Sequence, residues 1–108
     1  MHAAYTVARQ AVGRAGLSLS PAHLWWQHTA GAARALGLDG VEGNLQVGCE
    51  ADFVVLNPNA TPLLARRTAQ AESLAEWLFA LVALGDDRLM AHTVVQGEPV
   101  HTAATIGA

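Results

Sequence analysis

The sequence has 108 residues, six arginines and no lysine, with a formal net charge of −3, which excludes the basic field that a nucleic-acid backbone requires. Its 52% hydrophobic content is high for a short soluble domain, and small domains hide a smaller share of their surface than large ones. The composition suggests either a tight helical core or a segment of something larger, and the second is the favoured expectation.

The single Cys49 cannot close an internal disulfide, and Thr6, Arg9 and Gln10 interrupt the opening stretch where a signal peptide would be continuously apolar. A cytoplasmic, reduced setting is expected. No run reaches the ~18 apolar residues of a membrane span, so neither a membrane nor nucleic acid is an expected partner.

In chain order, Ala4, Val7, Ala8, Ala11, Val12 and Ala15 recur at helical spacing, with Gly16 placed to end the helix. Met1 has no capping residue before it, which predicts that the chain begins inside an element. Ser20-Pro21 is a second helix start, a hydroxyl to cap free amides followed by a ring that loses no needed donor. This predicts a helix from Pro21 to about Leu36, with Leu24, Trp25, His28, Ala32 and Ala35 facing a partner and Gly37 as its stop. Turns follow at Gly40, Gly43 and Gly48.

Asp52 to Leu56 reads as a strand, and its apolar run predicts burial on both faces. An extended loop with Pro62 and the Arg66-Arg67 pair is expected next. Ser73-Leu-Ala-Glu76 is a capping box that starts another helix, whose apolar face is Leu74, Trp77, Leu78, Leu81 and Val82 and whose stop is Gly85. From Thr93 to Val100 two short β segments are expected around a Gln96-Gly97 turn. The tail from Ala103 to Ala108 is expected to fray.

A metal centre needs several ligands converging on one point, and no His-x-His pair is present. His23 and His28, five apart on one helix, diverge. His92 and His101 are expected to be cross-strand neighbours, but two ligands are not a site. Asp86 and Asp87 beside Arg88 read as a charge-balanced loop, and Glu72 and Glu76 as residues that suit a helix N-terminus. Cys49 lacks any signature of activation. Trp25, Trp26 and Trp77 read as packing anchors, and Arg66 and Arg67 as a solvated pair. No catalytic, cofactor-binding or metal-binding residue is therefore assigned.

The segment Gly43-Asn-Leu-Gln-Val-Gly48, followed by Glu50-Ala-Asp-Phe-Val-Val-Leu56, resembles a stretch near the C-terminus of many amidohydrolase-superfamily enzymes. Ala60-Thr-Pro-Leu-Leu64 with Arg66 or Arg67 beyond it, Ser73-Leu, Leu78-Phe-Ala-Leu81 and Leu84-Gly-Asp-Asp-Arg88 narrow the resemblance to guanine deaminase. Thr29, Gly31 and Ala33 to Asp39 extend it over nearly the whole chain. Cys49 departs from that family, which more often has lysine there, and Trp25-Trp26 replaces other bulky residues.

The resemblance implies an α/β fragment: closing helices of a (β/α)8 barrel, plus strands of a small composite β domain. Residues 1–38 would be barrel helices, 39–58 a turn and β-domain strand, 59–88 a loop and helix, and 89–108 a hairpin and tail. It implies a complete enzyme in which zinc, held by histidines and an aspartate, activates water to convert guanine to xanthine and ammonia. Those ligands would lie upstream, so this chain alone is expected to be inactive and to bind no zinc. The implied partners are the missing N-terminal barrel portion, a purine substrate and, when complete, a second copy in a homodimer. Another amino-purine or a triazine-type ring is an alternative substrate. A free-standing interaction module that docks through apolar helix faces is an alternative of another class.

Overall fold

Hydroxyl side chains set the starts of three helices. The computed structural model describes residues 1–15 and 19–104. Ser20 Oγ accepts from the His23 amide at 3.1 Å, and α2 (Pro21–Gln27) begins at the following proline. Thr61 Oγ1 accepts from the Leu64 amide at 3.2 Å and starts α4 (Pro62–Ala69). Ser73 Oγ accepts from the Glu76 amide at 3.1 Å and starts α5 (Leu74–Leu84). The Glu76 carboxylate reaches back one residue further than a capping box requires, accepting from the Glu72 amide at 2.8 Å. Ser73→Ala is expected to cost about 1 kcal/mol, read as a lower urea midpoint with an unchanged denaturant slope.

Two expectations are corrected at this level. The helix from Pro21 to Leu36 is two helices, α2 and α3 (Ala30–Ala35), separated at His28 and Thr29. Thr29 has φ −130° and ψ −106°, and its hydroxyl donates to the Trp25 carbonyl at 2.9 Å, the kind of local bond that competes with the helical ladder. Gly31 then passes against the Trp26 ring, where a Cβ would lie 2.6 Å from a ring carbon. The extended loop around Pro62 is instead α4. Thr61-Pro62 is the same start signal as Ser20-Pro21, and the Arg66-Arg67 pair falls in the helix's last turn, where cations suit the macrodipole.

The first helix, α1 (His2–Ala15), forms as its periodicity predicts; its expected stop at Gly16 lies outside the described residues. Tyr5 meets Phe79 of α5 edge to face with ring centroids 5.1 Å apart. The core is centred on α4 and α5: Leu64, Ala80, Leu81 and Leu89 are buried together, with Trp25, Leu56, Ala60, Trp77 and Leu84 packed around them. The Trp25 indole N–H donates to the Leu78 carbonyl at 3.3 Å, which satisfies its one donor inside this packing. Leu74, expected on the inner face of α5, is instead exposed.

The sheet has the order β1-β2-β3 and is antiparallel throughout, with β1 Phe53–Leu56, β2 Met90–Val95 and β3 Glu98–Thr102. Gln96 at φ 51° and Gly97 at φ 80° put both central residues of the hairpin turn in the left-handed region, the geometry that matches strand twist. The turn is clamped from outside: the Gln96 amide donates to Asp52 Oδ1 at 2.7 Å and the Gly97 amide to the Ala51 carbonyl at 3.0 Å. β1 is not buried on both faces. Phe53, Val54 and Val55 are 39%, 44% and 41% exposed, because β1 is an edge strand with no further strand beyond it among the described residues. Residues 105–108, the end of the expected frayed tail, lie outside the described residues.

Candidate functional site

An apolar groove of about 700 Å³ lies between the α2–α3 corner and the sheet. Trp25, Ala33 and Leu36 form one wall, Phe53, Val54 and Val94 the other, and Gly43 to Leu45 the rim. Its lining is mostly hydrocarbon with a few polar groups at the mouth, including His28, Glu42 and Asp52.

The histidines do not gather there. His23 is exposed and packs edge to face on Trp26, with centroids 5.7 Å apart. His28 Nδ1 pairs with the Leu24 carbonyl at 3.0 Å. His92 and His101 are not direct cross-strand partners: His92 pairs with Thr102, and Thr93 with His101. The hairpin register is displaced by an irregularity at Thr93/Val94, so the two histidines alternate onto opposite faces of the ribbon. His92 Nδ1 lies in hydrogen-bond contact with Thr102 Oγ1 at 3.3 Å.

Other candidates find structural partners. Asp86 accepts from the Arg88 amide at 2.9 Å and pairs with its guanidinium, Nη2 to Oδ2, at 2.6 Å. That hydrogen bonding holds the Asp86 carboxyl below its ordinary value. Asp87 opens a single 3-10 turn, Asp87–Leu89. Trp25 and Trp77 pack on the core as expected, whereas Trp26 is 45% exposed because the break at Thr29 turns it toward His23 and Gly31. Arg66 and Arg67 are exposed. Cys49 is a half-buried free thiol, and Glu72 and Glu76 serve the α5 start.

One cluster has no counterpart among the sequence-derived candidates. Glu42, Glu50 and Asp52 bring carboxylate oxygens within 4.8 Å of one another, and among the described residues no other set of three such ligand types converges. These residues are separated by eight and two positions on either side of a glycine turn, and ordinary motif spacing gives no sign of them. The Glu50 amide donates to the Val41 carbonyl at 2.6 Å, which folds the loop back on itself. A hydrogen bond to Asp52, followed by desolvation and the negative charges of Asp52 and Glu50, raises the Glu42 carboxyl above its ordinary value.

In the interval just above the ordinary carboxyl value, folded chains hold a proton at Glu42 that unfolded chains have lost, so stability falls as pH rises through it. Glu42→Gln is expected to flatten this dependence and to raise the melting temperature at neutral pH, checked by thermal melts between about pH 4 and pH 7.

The residues present do not suit zinc. Zinc sites are built mainly on imidazole and thiolate donors with carboxylates in a minor share, and the converging set among the described residues is three carboxylates with no histidine or cysteine.

The family model described as "Amidohydrolase family" matches residues 1–101. The chain belongs to the amidohydrolase family. It is 44% identical to the guanine deaminase of Escherichia coli over 86 residues, which is 80% of this chain and 20% of that protein. A protein of Deinococcus radiodurans described as a probable guanine deaminase is 47% identical over 77 residues, 71% of this chain and 18% of its own length. Among solved structures, the E. coli guanine deaminase superposes with a TM-score of 0.86 at 40% identity, over 94% of this chain and 23% of that one. Guanine deaminase from Bradyrhizobium japonicum superposes at 0.72 with 33% identity, over 81% and 20%. This amidohydrolase chain thus spans about a fifth of the length of the curated relatives it matches, and its mixed α/β unit resembles one part of their fold. No helix among the described residues is long and apolar enough to cross a membrane.

Proposed function

We propose that this chain is part of a cytoplasmic, zinc-dependent guanine deaminase that hydrolyses a C–N bond of guanine, releasing xanthine and ammonia in purine catabolism. The observation that carries the reading is the match to E. coli guanine deaminase in both sequence, at 44% identity, and backbone, at a TM-score of 0.86. Within the complete enzyme, residues 1–38 supply closing helices of a (β/α)8 barrel. Residues 39–58 and 89–108 contribute strands to a small β domain, and residues 59–88 pack between them. The zinc belongs to the part of the enzyme outside these 108 residues, together with the groups that touch guanine. The complete enzyme works as a homodimer.

The chain by itself does not turn over guanine. What supports this part of the reading is that the chain spans only about a fifth of the length of the guanine deaminases it matches. The test is ammonia release from guanine by the 108-residue chain with added zinc, beside a protein extended through the upstream reading frame. Turnover by the extended form alone is the expected result. Turnover by the short chain would overturn the claim of inactivity, and an extended protein that deaminates a different amino-purine or a triazine but not guanine would overturn the substrate.

A further inference from the structure

An aspartyl or asparaginyl side chain can close onto the backbone amide of the next residue and rewrite the main chain without an enzyme. Closure needs an unengaged side chain, an amide that is not already donating, and little bulk on the following residue. The chain has four aspartates and three asparagines, and all but one of them are restrained. Asp52 Oδ1 accepts from the Gln96 amide, and the next residue, Phe53, is held in β1. Asp86 is engaged by the Arg88 amide and guanidinium, and that same donating amide is the one Asp87 would have to use. Asn44 Oδ1 accepts from the Gln46 amide at 2.8 Å and is followed by the bulky Leu45. Pro58, after Asn57, has no amide hydrogen. The Ala60 amide, after Asn59, donates to the Asn57 carbonyl at 3.2 Å.

Asp39-Gly40 is the exception. Both residues are exposed, nothing lies within 4 Å of a Cβ added at Gly40, and among the described residues no side-chain hydrogen bond or ion pair engages the Asp39 carboxylate. The Val41 amide donates to the Leu38 carbonyl at 2.9 Å, and with Gly40 at φ +91° this is the arrangement of a type II turn centred on Asp39 and Gly40. In such a turn the peptide between the two central residues must flip before the Gly40 nitrogen can meet the Asp39 side chain. Glycine accepts either sign of φ, and the flip disturbs only the local bridge between Asp39 and Glu42.

We propose that Asp39-Gly40 is a modification site at which the chain isomerises spontaneously to isoaspartate, making it a substrate for a carboxyl methyltransferase. The Gly40 nitrogen bonds to the Asp39 Cγ, the Cγ–OH bond breaks, and the amide hydrogen leaves with that hydroxyl as water. A solvent water then adds to the former main-chain carbonyl of the succinimide, whose bond to the Gly40 nitrogen breaks, and the nitrogen regains its hydrogen. The main chain now runs through the Asp39 side chain, one methylene longer, and the old main-chain carbonyl has become a free carboxylate. An S-adenosylmethionine-dependent methyltransferase esterifies that carboxylate by moving a methyl group to its oxygen and releasing S-adenosylhomocysteine. The position gives the change a structural effect, because Gly40 lies between α3 and the groove rim at Gly43 to Leu45. The added methylene displaces the Val41 and Glu42 amides from the Leu38 carbonyl, which accepts them at 2.9 and 3.1 Å. None of this depends on the guanine chemistry proposed above.

The test is ageing of the purified chain in warm, near-neutral buffer, with circular dichroism confirming the fold at each time point. Samples are treated with an isoaspartyl carboxyl methyltransferase and labelled S-adenosylmethionine, and the label is located by peptide mapping. Label that accumulates at Asp39, with little at the other aspartates and asparagines, is expected. Asp39→Glu should lose that label altogether, since its longer side chain closes far more slowly to a larger ring. Gly40→Ala should lose most of it, because a methyl group hinders the closure; if that variant unfolds, the distribution of label in the wild-type chain decides. Amide exchange of the aged wild-type chain should show lost protection at Val41 and Glu42, with Gly97, which donates to the Ala51 carbonyl, unaffected. No label at Asp39, label shared evenly among all the candidate positions, undiminished label in Asp39→Glu, or unchanged exchange at Val41 and Glu42 once Asp39 is modified would overturn the proposal.

Discussion

Leu64→Ala is expected to remove about 2–5 kcal/mol of stability, a large share of the ~5–15 kcal/mol that holds a typical domain together. Among the described residues, Leu64 and Leu24 are the largest side chains sealed from solvent. Leu64 sits among Ala80, Leu81 and Leu89, with two of those neighbours on α5. Truncation would lose the transfer energy of the deleted carbons and leave a void lined by residues fixed on two helices and a 3-10 turn, which cannot all move in to fill it. The adjacent Leu63 is 59% exposed, because α4 turns successive residues by about 100° and only one of the pair can face α5. Leu63→Ala is therefore expected to change stability by less than about 0.5 kcal/mol. Urea denaturation of the two variants measures the contrast. Equal losses would show that the segment is not the helix described, since an extended chain would expose or bury the pair differently.

The contrast at Leu63 and Leu64 also marks where the sequence was legible. Local signals with a single physical cause were readable: the Ser20 and Ser73 caps, the Gln96-Gly97 turn, and the apolar period of α1 all appear where residue chemistry places them. Thr61-Pro62 carries the same start signal as Ser20-Pro21, but α4 is only eight residues long, too short for an apolar period to stand out. The break at Thr29 could not be read from periodicity, because Ala32 and Ala35 continue the stripe of Leu24, Trp25 and His28 across it. What decides the break is the Thr29 hydroxyl bonding to the preceding turn and the Trp26 ring filling the space over Gly31. The register of His92 against Thr102 depends on one skipped residue in the hairpin, which composition does not announce. The meeting of Glu42, Glu50 and Asp52 arises from a loop reversal around glycine turns, and residues brought together that way leave no spacing to detect. Burial of β1 failed for a different reason. An apolar run reports a need for cover, and the cover is not supplied by the described residues of this chain.

The loop that forms the rim of the groove is held at Gly43, and Gly43→Ala is expected to be the most damaging of the glycine substitutions in this region. Two costs combine there. Gly43 has φ +96°, a conformation that an L-residue adopts only with about 1–3 kcal/mol of strain. Its missing Cβ would also lie 2.7 Å from the Ala33 Cβ and 3.2 Å from the Ala30 Cα, so the loop and α3 would have to separate, a further ~1–3 kcal/mol. Gly40 separates the two terms, because it has φ +91° with nothing within 4 Å of an added Cβ. Gly40→Ala should therefore show the backbone cost alone. Ala33→Gly removes the nearest atom that Gly43→Ala would strike, so in the double variant the steric cost should fall to what the 3.2 Å approaches to Ala30 Cα and Thr29 O impose, while the strain at Gly43 remains. The coupling energy from that cycle of four proteins, read from denaturation midpoints, measures the loop-to-helix contact directly. A coupling near zero, with Gly43→Ala no worse than Gly40→Ala, would mean that the rim does not press on α3 and that the groove's shape is set by the sheet side alone. A coupling above about 1 kcal/mol would mean that α3 fixes the rim, so that the groove's shape is set by the helix side as well as by the sheet.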